Sequence, residues 1–212
     1  MTNQADASEA LKAAQLVACP GVLLCAPVLD GDNNAAKQTQ NTDSKARPSK
    51  ADVPKSRVMI STLSYASLSP LIFASNLAAT SRTGQSIMAY GLTVASVLAQ
   101  HHRPMIEALT AAQNSKTKPD DAHLLLQECG FQTALYETPA GALPYIKDAA
   151  VALYLTLHSS QNLPESILAL LEFGALLCYD ETMPPLIRYN RNWIVTALSN
   201  VQSQYGSDKY PV

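Results

Sequence analysis

The sequence predicts an all-α fold, a compact bundle of about seven or eight helices behind an extended, partly disordered N-terminal arm. Three observations carry that expectation. Prolines at positions 70, 104, 119, 144, 164 and 185 each stand just before an apolar periodic run. That is where proline is tolerated, because a first-turn N–H has no partner inside its helix. Apolar residues then recur at i, i+3, i+4 and i+7 through much of the chain. Strand evidence is thin by comparison, confined to "VMISTLSY", whose Ser and Thr also suit a helix.

Taken in order, "DASEALKAAQLVAC" predicts a short first helix, with Asp6 as N-cap and Glu9 three residues on as a capping-box partner. "CPGVLLCAPVLDGD" is apolar but interrupted by Pro20, Gly21 and Pro27, which disfavour a continuing helix. A patch this hydrophobic is expected to dock on its own body or on a neighbouring subunit, with Val22, Leu23, Leu24, Val28 and Leu29 as its contact residues. Residues 33–57 follow with a single Val and no Leu, Ile or aromatic, too little apolar area to offset the entropy of ordering. The chain therefore divides into an arm over residues 1–57 and a helical core over 58–212.

Within that core, Ile87, Tyr90, Val94, Val97 and Leu98 predict a helix across Gln85–Gln100. Ile146, Ala150, Leu153 and Leu157 predict another. "PESILALLEFGALLCYDE" is apolar on nearly every side and predicts the most buried helix. A last helix is expected over about Pro185 to Ser203, with Trp193 on its inner stripe. All thirteen aromatic residues lie at or after Tyr65, which places the core in the same region.

Charge is unevenly spread. Residues 33–57 carry six basic and two acidic side chains, +4, leaving −6 on the rest of a chain whose net charge is −2. A cationic arm on an acidic body suits a polyanion or an acidic neighbour. The cysteines, Cys19, Cys25, Cys129 and Cys178, show no CxxC spacing and read as buried free thiols. Neither a secretory leader nor an apolar run of about 18 residues is present, so an intracellular, cytoplasmic protein without a membrane span is expected.

Chemistry is harder to find. The sequence contains neither GxxxxGK[ST] nor GxGxxG, and Gly84, Gly91 and Gly174 fall where close packing explains them. His101 and His102 are adjacent, so on a helix they point about 100° apart and cannot share an ion without a distant ligand. Their placement at a helix end suits the dipole instead. No catalytic residue, metal, cofactor or small-molecule substrate is identified. The candidate nucleic-acid contacts are "LIRYNRNW", where Arg188 and Arg191 would share a helical face beside Tyr189, together with Arg82 in "SRTGQS" and Lys45, Arg47 and Lys50 in the arm.

These features predict a non-enzymatic assembly protein: a self-associating helical subunit that coats single-stranded RNA, in the general manner of viral coat and nucleocapsid proteins, and so found in a virion. The competing expectation is a small helical adaptor that binds a protein partner through an apolar groove.

Overall fold

In a computed structural model of the chain, residues 19–29, 55–114, 119, 121–180, 182–189 and 192–195 are described. The fold is built from β-strands, which overturns the all-α expectation. Eleven strands are present among these residues: β1 Cys19–Pro27, β2 Ser56–Thr62, β3 Ser64–Leu68, β4 Leu71–Ala78, β5 Leu92–Val97, β6 Thr133–Thr138, β7 Gly141–Ile146, β8 Val151–Asn162, β9 Ser166–Tyr179, β10 Leu186–Tyr189 and β11 Asn192–Val195. Three α-helices accompany them, α1 Arg82–Tyr90, α2 Arg103–Gln113 and α3 Ala122–Glu128.

Six antiparallel strands, ordered β2-β1-β5-β8-β9-β4, form a sheet that curls until its two ends meet. At the seam, side chains join β2 to β4. The Ser61 and Ser75 hydroxyls lie 3.1 Å apart, and Ser75 Oγ donates to Thr62 O at 3.0 Å. The result is a closed barrel, with β3 added beyond β4 and the β10–β11 hairpin attached to the start of β1. β6 and β7 make a separate two-stranded sheet.

The run "GVLLCAP" is apolar without interruption because β1 is buried on both faces. Val22, Leu24 and Ala26 point into the barrel with Leu153, Leu155 and Leu171. Leu23 and Cys25 point outward into a second core, against Ile106 and Leu109 of α2, Leu126 of α3 and Leu143 of β7. A strand covered on both sides reads as a continuous hydrophobic run and cannot be told from a buried helix by periodicity. Removing either Leu23 or Leu24 in favour of Ala would cost ~2–5 kcal/mol.

The predicted helices fail for particular reasons. Over Gln85–Gln100 the first half is correct: α1 runs to Tyr90. It then stops at Gly91, whose φ of 67° lies in the left-handed region and whose N–H caps Ile87 O. The residues after it form β5. Ile146, Ala150, Leu153 and Leu157 straddle the end of β7, a loop and β8, so their helical spacing is coincidental. The expected central helix is β9, and Leu186–Tyr189 with Asn192–Val195 form two strands in place of the expected last helix. The proposed first helix and most of the basic run lie outside the described residues.

Among the prolines, Pro104 does occupy the first turn of α2, and Pro119 precedes α3. The others serve strands and turns. Pro70 follows a cis bond in the β3–β4 turn, and Pro164 lies in the β8–β9 turn, where Leu163 N donates to Ser166 O. Pro144 sits within β7, which among the described residues pairs only with β6, so a missing donor on its other edge costs the ladder nothing. Pro185 bridges to Ala99.

Candidate functional site

Two polar groupings stand out, at opposite ends of the barrel. The first forms where β5 ends. A 3₁₀ turn, Gln100–His102, leads into α2, and the loop between β7 and β8 brings Asp148 alongside it. His101 Nε2 lies 2.9 Å from Asp148 Oδ2, and His102 Nε2 lies 3.2 Å from Asp148 Oδ1. The two imidazole rings are 3.9 Å apart, and His102 also packs against Phe131, with ring centroids 5.5 Å apart.

These groups have different environments. His101 is exposed, whereas His102 is fully buried. His102 Nδ1 accepts the Ala99 N–H at 3.0 Å, so in the neutral ring the proton must sit on Nε2, facing Asp148. Burial lowers the His102 pKa below its ordinary value, the neighbouring His101 charge adds to this, and Asp148 opposes both. Burial alone would raise the Asp148 carboxyl, but the hydrogen-bonded His101 and the adjacent His102 imidazole outweigh it and hold that group below the ordinary carboxylate range. The arrangement is therefore a neutral buried imidazole, an ionised carboxylate and an exposed second imidazole in series.

The second grouping opens α1. Ser81 is the N-cap: its Oγ accepts the Gly84 N–H at 3.2 Å, while its own hydroxyl rests on Met59 Sδ at 3.6 Å. Arg82 is exposed at the first position, Thr83 and Ser86 are buried, and Ser86 Oγ has no hydrogen-bond partner. Gly84 allows the helix to lie close on β4, since a Cβ there would meet Leu77 Cβ at 3.3 Å. First-turn amides, a dipole end and a guanidinium together suit an anion, a phosphate above all.

Of the nucleic-acid and interface contacts expected from sequence, Arg82 alone falls in one of these groupings. Arg188 and Tyr189 lie in β10, opposite Trp193 and Asn192 of β11, which removes the shared helical face on which their pairing with Arg191 was argued. Arg191, Lys45, Arg47 and Lys50 lie outside the described residues. Val22, Leu23 and Leu24 are buried within the chain's own two cores, Val28 is buried, and Leu29 is half-buried. Asp148 was missed. The histidine pair reads in sequence as a helix-end pair that could share an ion only with a distant ligand, and nothing in "YIKDAA" marks Asp148 as one.

No family model and no curated protein sequence matches the chain. Solved structures do. The barrel is the fold of flavin reductases. The NADH:FAD oxidoreductase SgcE6 of Streptomyces globisporus C-1027 superposes with a TM-score of 0.62 at 14% identity, covering 93% of this chain and 97% of that one. The styrene monooxygenase flavin reductase SMOB of Pseudomonas putida S12 gives 0.60 at 14% identity, covering 90% and 98%. BorF, the flavin reductase component of a bacterial two-component tryptophan halogenase, gives 0.59 at 11% identity, covering 90% and 98%.

This likeness corrects the functional expectations. The RNA-coating, self-associating subunit and the helical adaptor both required a helical bundle, and the barrel is shared instead with oxidoreductases. A protein with no catalytic activity, no small-molecule substrate, an RNA partner and a place in a virion finds no support in that fold.

Proposed function

We propose that this protein is a flavin reductase, which oxidises a reduced nicotinamide nucleotide and passes the electrons to a flavin. One observation carries the reading: the barrel matches enzymes of that activity across at least nine-tenths of both chains. A bound flavin supplies the hydride acceptor. The start of α1 is where this chain's residues fit its phosphate. Arg82 brings a permanent cation, and the first-turn amides point outward along the dipole. The Ser81 hydroxyl, resting on a weak sulfur acceptor, is free to turn toward a phosphate oxygen. The buried Ser86 hydroxyl adds an unsatisfied polar atom to the same helix.

Fluorescence titration with FMN and with riboflavin, which lacks the phosphate, tests this placement. Arg82→Ala is expected to weaken FMN binding about tenfold, ~1.4 kcal/mol, and to leave riboflavin affinity unchanged. Equal losses for both ligands, or none for FMN, would take the phosphate away from α1.

A further inference from the structure

We propose that His101 and Asp148 bind a divalent transition-metal ion at the end of the barrel opposite α1, with His102 positioning the carboxylate from behind. This site is independent of the flavin reading.

The donor atoms offered by His101, His102 and Asp148 all lie within 4.8 Å of one another, close enough for a single ion to touch more than one. Imidazole nitrogen with carboxylate oxygen is a donor set suited to Zn²⁺ or Ni²⁺. The exposed His101 is open to an ion from solvent, and its Nε2 already faces Asp148 Oδ2.

His102 cannot be a third ligand as it stands. Its Nδ1 accepts the Ala99 N–H, which leaves the ring proton on Nε2 and no lone pair there for a metal. Its role is that of the group behind the ligand. His102 Nε2 and Asp148 Oδ1 are both buried, only 3.2 Å apart, yet neither atom has a hydrogen-bond partner among the described residues. Two unsatisfied buried polar atoms side by side are costly to keep. A small swing of the carboxylate as Oδ2 engages an ion would bring Oδ1 into line with Nε2–H and satisfy both. Such outer hydrogen bonds orient metal-bound carboxylates and typically change affinity 10- to 100-fold.

The molecule supplies an internal control. His158 Nδ1 lies 3.2 Å from Glu172 Oε2, a pair whose histidine is as exposed as His101 and whose carboxylate is more exposed than Asp148, with no described buried imidazole behind it. In a Zn²⁺ titration of the full-length protein, followed by long-range ¹H–¹⁵N spectra of the imidazoles, His101 is expected to shift at a Zn²⁺ concentration about tenfold lower than His158. His102 should keep its protonated Nε2 throughout. His101→Ala, at an exposed position that spares the fold, should abolish the high-affinity phase, and Asp148→Asn should weaken it at least tenfold. Simultaneous shifts of His101 and His158, loss of the His102 Nε2 proton on binding, or a high-affinity phase that survives His101→Ala would each overturn the proposal.

Discussion

Asp121 Oδ2 accepts both the backbone N–H of Ser56 at 3.0 Å and its hydroxyl at 3.3 Å, across 65 positions of sequence. The other oxygen of the same carboxylate caps α3, accepting the N–H groups of His123 at 2.9 Å and Leu124 at 3.2 Å. One side chain thus ties the first residue of β2 to the start of a helix in the outer layer. Asp121→Ala removes the cap and leaves the Ser56 donors unmatched, and is expected to cost ~2–3 kcal/mol. Asp121→Asn, which keeps one acceptor, should cost about half as much. Urea unfolding of the two variants checks the order; equal stability of Asp121→Ala and wild type would show that the clamp contributes nothing.

Gly174 in β9 gives space to its cross-strand neighbour. A Cβ there would sit 2.7 Å from Tyr154 Cδ1 and 3.2 Å from Tyr154 O, and the Tyr154 ring in turn packs on Tyr136 with centroids 5.3 Å apart. Gly174→Ala must therefore displace the ring or the strand, with an expected cost of ~1–3 kcal/mol. Part of the conflict is with the ring alone. Thermal unfolding of Gly174→Ala, Tyr154→Ala and the double variant should show the pair costing less than the sum of its members, and strict additivity would mean that the ring is not what Gly174 accommodates.

The buried His102 makes stability depend on pH. Its pKa in the folded protein lies below the ordinary 6.5, so between the two values the unfolded chain binds more protons than the native one. Stability from this group is complete above 6.5 and is lost as pH falls below it through the lowered folded value. Asp148, also held low, adds a loss at more acidic pH, below the ordinary 3.8. The melting temperature is expected to fall on acidification from neutrality, and His102→Gln, which has no titrating ring, should flatten the upper part of that fall. An identical pH profile in the variant would exclude His102 as the source.

Legibility in the sequence followed burial. Residues with one covered face were partly readable: the amphipathic start of α1 is legible although its stop at Gly91 is not, and Pro104 and Pro119 stand before helices. Strands covered on both faces were not. Leu23 and Leu24 serve different cores on opposite sides of one strand, and a run of that kind carries no period to read. β9 misled for a related reason, because its irregular register against β8 shifts which residues face inward and breaks a clean alternation. Of the candidate sites, Arg82 was visible because hydroxyl neighbours surround it in sequence. Asp148 was invisible because it reaches the histidines only through the β7–β8 loop.

The most direct test of the account is NADH consumption by the purified full-length protein under anaerobic conditions, with FMN, FAD or riboflavin as acceptor. A flavin reductase oxidises NADH in proportion to the enzyme present, bleaches the flavin it is given, and consumes little NADH when no flavin is added. The absence of enzyme-dependent bleaching with all three flavins, using protein shown to be folded, would contradict the proposed function and leave the barrel as a shared architecture without the shared chemistry.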